Sequence, residues 1–248
     1  MKIWPFTSTT QFLTAICASF FFQTTHAAMY VYPMETAVGE NGSSQIRVIS
    51  QDNDVQFVKI KLKKILNPAT DKEHEVDFDM SDASQLIITP QKLALAAGGE
   101  RLVRIVSVNL PQKETTWRVY FEGVNEITYN LSPGESKSAA GDAQVGVNII
   151  WGVLVHVAPQ KEVARMEYSP ASGKVTNSGT IRIPVKEFGT CSSASDCKWE
   201  KKEITLYPDS IVSIPGIKFL PGKTYKIKYF NWIKNTTEVM ELPASLVR

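Results

Sequence analysis

The sequence predicts an all-β protein built as two β-sandwiches. Three observations carry this reading. Apolar residues recur with period two through most of the chain, and turn chemistry punctuates them at short intervals. The 248 residues are also enough for two ordinary domains once an export leader is set aside. Hydrophobic residues make up 43% of the chain and charged residues 21%, a globular composition with apolar mass for a core. Lys and Arg number 27 against 25 Asp and Glu, which excludes a strongly basic nucleic-acid-binding protein and an acidic disordered tail.

The N-terminus reads as a secretory signal peptide over residues 1–27. Lys2 is the only charge before His26, residues 12–22 are apolar or small, and small residues flank His26 at Thr25 and Ala27. The apolar run is shorter than the roughly 20 residues that a membrane span needs. The leader takes Cys17 with it. Cys191 and Cys197 remain, an even count that predicts one disulfide closing a short surface loop in an oxidising compartment. A metal site at this pair lacks ligands, because His74 and His156 lie far away in sequence.

The first series of strands follows. Ile46, Val48 and Ser50 alternate with Arg47 and Ile49, and Val58, Ile60 and Leu62 alternate with Lys59, Lys61 and Lys63. Leu102, Ile105, Val106 and Val108 mark another segment, and Trp117, Val119 and Phe121 alternate with Arg118, Tyr120 and Glu122. Asn41-Gly42, Asn67-Pro68, Gly98-Gly99 and Pro133-Gly134 supply the turns. One helical turn is expected over 91–97, and residues 125–142 are expected to be the longest unstructured stretch. A second series begins after Pro159, with candidate strands at 163–168, 174–176, 181–185, 204–207, 211–214 and 225–232. The predicted sandwiches are therefore 28–157 and 160–248.

Residues 144–157 differ from the rest. Val145, Val147, Ile149, Trp151, Val153, Val155 and Val157 form one alternating face, giving a strand longer than most. It reads either as a central strand buried on both faces or as a strand with an edge offered to a partner. The second reading implies β-augmentation, in which main-chain hydrogen bonds supply affinity and alternate side chains fill pockets.

Over essentially the whole mature chain the sequence resembles periplasmic pilus-assembly chaperones, most closely the alternate chaperones of alpha-type (class 5) fimbriae. Met29-Tyr30-Val31-Tyr32-Pro33 resembles their first strand. Residues 88–100 followed by Val103-Arg104-Ile105 resemble the D1–E1 signature, and residues 117–122 resemble strand F1. Residues 145–159 resemble strand G1 and the hinge, and Thr176-Asn177-Ser178-Gly179 resembles a turn of the second domain. The resemblance implies two immunoglobulin-like domains in a boomerang, working in the periplasm. It implies pilin subunits and a tip adhesin as cargo, captured by donation of G1, and an outer-membrane usher as recipient.

On that resemblance Val145, Val147 and Ile149 are donor residues, with Trp151 a fourth. Each buried side chain is worth about 1.5–3 kcal/mol before ordering costs. The family's basic residues for the C-terminal carboxylate of the pilin would fall at Met29 and Leu154, neither of which is basic. Arg118 and His156 are the candidate replacements, along with free backbone N–H groups. Arg118 reads equally as a cross-strand-paired surface residue. When free, such an edge could also self-associate.

No nucleotide-binding loop, nucleophile elbow or His-Glu-x-x-His pattern occurs, so no cofactor and no enzymatic activity are expected. Asp77 and Asp79 share one face of an extended segment, which exposed alternation explains more simply than cation binding. The Lys59, Lys61 and Lys63 stripe reads as a solvated face. The rival functions are a fimbrial structural subunit or adhesin, and an exported β-sandwich enzyme or carbohydrate-binding protein.

Overall fold

The computed structural model describes residues 29–77, 86–131 and 149–245. The N-terminal half begins with β1 (Met29–Tyr32), β2 (Glu35–Val38), β3 (Ser43–Ser50) and β4 (Gln56–Leu66). It continues through β5 (His74–Asp77), β6 (Leu86–Thr89), β7 (Lys92–Leu95), β8 (Glu100–Ser107) and β9 (Thr115–Val124). A short helix α1 (Glu126–Asn130) and the strand β10 (Ile150–Val157) complete it. One sheet runs β1-β3-β8-β6; the other runs β2-β10-β9-β4-β5, with β7 also paired to β4.

Alternation decides which side chains meet between these sheets. Ile46 and Val48 of β3, Val103 and Ile105 of β8, Val58 of β4, and Trp117, Val119 and Phe121 of β9 are all buried in one cluster. Val153, Val155 and Val157 of β10 join them from the last strand. In β8 the inward residues are Val103 and Ile105, while Leu102 is 51% exposed.

The second half contains β11 (Met166–Ser169), β12 (Lys174–Asn177), β13 (Ile183–Cys191), β14 (Cys197–Leu206), β15 (Ile211–Val212), β16 (Thr224–Asn231) and β17 (Thr236–Leu242). They form a three-stranded sheet β11-β12-β15 and a four-stranded sheet β14-β13-β16-β17. A separate core of Met166, Val175, Ile183, Val185, Phe188, Leu206, Tyr225, Ile227 and Tyr229 lies between them. The protein is thus nearly all β, in two sandwiches.

Two expectations need correction. The segment around 91–97 is not helical: it forms β7, with Leu93 and Leu95 buried and Lys92 and Ala94 outward. Its pairing with β4 satisfies the backbone that a single helical turn would leave open. The stretch after Asn125 is not wholly irregular. Asn125 caps α1 by accepting from the Thr128 N–H at 2.8 Å, and Lys92 donates to the Tyr129 and Leu131 carbonyls at its far end. Val145, Val147 and Asp79 lie outside the described residues.

Cys191 and Cys197 are bonded, facing each other across the β13–β14 ladder. The intervening loop is held from β16 and the turn before it. Lys223 donates to the Ser192 hydroxyl and Lys226 to the Ala194 carbonyl, both at 2.8 Å.

Candidate functional site

β10 has two different edges. Along its whole length it pairs antiparallel with β9, from Ile150 opposite Glu122 to Val157 opposite Thr115. On the other side β2 pairs with it, in parallel, only from Leu154 to Val157, where the Leu154 N–H also donates to the Met34 carbonyl. Among the described residues no strand covers the second edge of β10 over 150–153. Ile149 and Ile150, at its entrance, are 47% and 51% exposed. Unpaired main-chain groups next to exposed isoleucines form a template for an added strand.

Trp151 marks where the sandwich's own core stops. It packs half-buried against that core, and its indole N–H donates to the Met29 carbonyl at 3.1 Å. Gly152 makes a notch on the opposite face. A Cβ there would lie 3.2 Å from Arg118 Cδ and from Tyr120 Cε1, so these two side chains occupy the space a larger residue would need.

Arg118 is not a free cation. Its Nη1 donates to Glu75 Oε1 at 2.6 Å, and the Tyr120 hydroxyl donates to both Glu75 oxygens at 2.9 Å. Burial opposes the Arg118 charge, and the pairing with Tyr120 and Glu75 outweighs it, so the guanidinium stays charged. A carboxylate arriving at Arg118 would compete with Glu75. Met29 is buried at the sandwich mouth, and Leu154 sits opposite Arg118 in the ladder.

His156 lies in a different environment, fully enclosed where the sandwiches meet. Its Nδ1 is 3.4 Å from Glu114 Oε1 and its Nε2 is 3.3 Å from Glu35 Oε1. Glu114 is the centre of this node. It accepts from the Arg182 backbone N–H at 2.8 Å, from Arg182 Nη1 at 2.6 Å and from the Trp232 indole N–H at 3.0 Å. The Arg182 guanidinium also lies over the Trp232 ring, 4.8 Å from its centroid. Burial works against the charge of Glu114. The facing imidazole and the Arg182 guanidinium overcome that, holding the carboxyl below its ordinary range. The contact with His156 likewise lowers Glu35, against partial burial and with help from Arg182.

The connection between sandwiches is clamped from several sides. The Thr180 hydroxyl donates to the Lys161 carbonyl and accepts from the Val163 N–H, while the Thr180 carbonyl accepts from the Glu114 N–H. Gln160 donates from its backbone to Pro111 and from its side chain to Leu110. Lys113 pairs with Asp209 at 2.6 Å across the same joint. The root of β10 is therefore fixed against the second sandwich.

The structure thus places Trp151 in β10 with Ile149 just before its first residue, but separates Arg118, on the outer sheet face, from the enclosed His156. Glu35, Glu114, Arg182 and Trp232 are not among the residues to which the sequence points. Glu114 and Arg182 are 68 residues apart, and no local pattern announces such a pair.

No family model matches the sequence. Among curated proteins, a CFA/I fimbrial subunit of Escherichia coli is 30% identical over 190 residues, covering 74% of this chain and 78% of that protein. A CS1 fimbrial subunit of Escherichia coli is 32% identical over 191 residues, covering 74% and 79%. Among solved structures, the class 5 fimbriae chaperone CfaA aligns with a TM-score of 0.69 at 26% identity, covering 88% of this chain and all of that one. A chaperone–tip adhesin complex of CFA/I fimbriae biogenesis aligns with a TM-score of 0.70 at the same identity and coverage.

The two-sandwich fold and these likenesses together define a fimbrial chaperone. Within that class, the chain belongs to the class 5 fimbrial chaperones.

Proposed function

We propose that this chaperone captures fimbrial subunits and a tip adhesin by adding its β10 edge to them, and passes them to an outer-membrane usher. The observation that carries this reading is the uncovered edge of β10 over 150–153, flanked by the exposed Ile149 and Ile150. Val145, Val147 and Ile149 insert into the pilin, and Trp151 is the innermost contact. Main-chain bonding gives affinity that tolerates different cargo sequences, while the alternating apolar side chains set the register. The chaperone is non-catalytic in this role.

Residues 1–27 direct export, and the mature chain works in the periplasm. No helix among the described residues is long and apolar enough to cross a membrane. Residues 28–157 form the strand-donating domain and 160–248 the second domain. Arg118 remains a candidate for binding the pilin's terminal carboxylate, by exchange with Glu75. His156 acts behind the surface.

Co-expression with the cognate pilin tests the donor edge. The double substitution V147E/I149E should abolish recovery of a soluble one-to-one complex, whereas Ile211→Glu, at an exposed position of β15, should leave it unchanged. Undiminished recovery with V147E/I149E overturns the proposal.

A further inference from the structure

We infer that His156 is a proton-dependent positioning residue: its protonated ring holds Glu35, and with it the start of β2, against β10 at the inner end of the open edge. The consequence for pilin capture rests on the donor-edge reading above. The latch itself does not.

The geometry identifies which contact responds to the proton. Both ring nitrogens of His156 face carboxylate oxygens, Nδ1 that of Glu114 at 3.4 Å and Nε2 that of Glu35 at 3.3 Å. A neutral imidazole has one N–H, so one nitrogen would aim a lone pair at a carboxylate where the ring is sealed from water. An imidazolium has an N–H for each. The Nε2 side is the weaker, being enclosed without an aligned hydrogen bond.

The surrounding charges agree. Glu35 comes from β2, Glu114 from the turn before β9 and Arg182 from the segment before β13. Tyr207, after β14, lies nearly parallel to the imidazole with ring centroids 6.0 Å apart. The Thr116 hydroxyl of β9 is 3.4 Å from Nδ1. Two carboxylates facing one guanidinium leave one negative charge uncompensated, and a proton on His156 balances it.

The two carboxylates are not equally free to move. Glu114 is buried and held by Arg182 and Trp232. Glu35 has a side chain 59% exposed, and its other partner is Arg182 Nη2 at 3.4 Å. When the ring loses its proton, Glu35 is the partner that swings toward water. Its position matters because Glu35 pairs with Leu154, the first residue at which β2 covers β10. Release of Glu35 loosens β2 where the open edge ends.

Labelled-histidine NMR on the free chaperone, with amide exchange read in parallel, tests the latch. Glu35→Gln should shift the His156 Nε2 resonance, because the carboxylate oxygen facing that nitrogen at 3.3 Å is replaced. Exchange protection at Leu154, corrected for intrinsic rates, should fall about tenfold between about pH 5.5 and pH 8 in the parent chain. In Glu35→Gln that protection should be low at both pH values. A His156 Nε2 resonance unmoved by Glu35→Gln, or Leu154 protection that is the same at both pH values, overturns the inference. The second result is expected if the Thr116 hydroxyl donates to Nδ1 of a neutral ring whose Nε2–H keeps Glu35. Capture of the co-expressed pilin should fall at the higher pH in the parent chain and lose that dependence in Glu35→Gln. V147E/I149E abolishes capture at every pH, so failure of the donor edge is distinct from failure of the latch.

Discussion

Asn177 shows how one side chain can organise a turn and, through it, the joint between sandwiches. It is fully buried at the end of β12. Its Nδ2 donates to the Ile181 and Leu206 carbonyls, and its Oδ1 accepts from the Gly179 N–H at 2.9 Å. Gly179 then brings the backbone close to the interdomain connection, where a Cβ would collide with the Val163 carbonyl oxygen. Asn177→Ala leaves buried donors and acceptors without partners and should cost about 3 kcal/mol, read as a shift in the denaturant midpoint. Gly179→Ala should destabilise as well, because the obstacle is backbone and cannot rotate away. This turn is legible in residues 176–179, since Asn and Gly at those places mark a turn. The charged node is not. Glu114 and Arg182 look like ordinary solvated residues in sequence, and only the folded chain encloses them together.

At the scale of elements, strands are legible wherever one face is uniformly apolar. β9 and β10 are of that kind, with Trp117, Val119 and Phe121 inward on one and Val153, Val155 and Val157 inward on the other. β17 is not. Its inward positions carry Glu238, Met240 and Leu242 while Val239 points outward, so a glutamate breaks the alternation and hides the strand. That glutamate is satisfied by the Tyr229 hydroxyl of β16, a cross-strand partner that the alternation of β17 by itself does not reveal. β7 is obscured for another reason: a short run rich in Leu and Ala fits a helical turn as well as a strand, and pairing with β4 decides. The hairpin of β13 and β14 is signalled in sequence at its outer ends by the apolar runs 181–185 and 204–207, and near its turn only by its cysteines. C191S/C197S should lower stability by about 2 kcal/mol, the value for a short closed loop, and less where the ladder already restricts the ends. Urea titration of the parent and the double variant measures it, with pilin capture unaffected because the hairpin lies in the second sandwich.

The two sandwiches have separate cores, so each could unfold alone unless the joint couples them. The coupling is polar, through Glu114 with Arg182 and Trp232, Lys113 with Asp209, and the hydrogen bonds around Thr180. Its pH dependence follows from the carboxyl groups. Glu114 and Glu35 are held below their ordinary value of 4.5 in the folded protein. A lowered folded value means that the unfolded chain binds the proton more readily, so stability is present above about pH 4.5 and is lost as pH falls through the folded values. Protonated Glu114 can no longer balance the cationic side chain of Arg182, a residue only 8% exposed. Removing one partner of such a buried pair typically costs about 3–5 kcal/mol. The isosteric Glu114→Gln variant reproduces that loss at neutral pH without acidifying the rest of the molecule. Calorimetry of the parent chaperone should show one cooperative transition near neutrality that separates into two below about pH 4.5. Glu114→Gln should show two at every pH, and a single coincident transition in that variant would mean that the remaining hydrogen bonds of the joint suffice to unite the sandwiches.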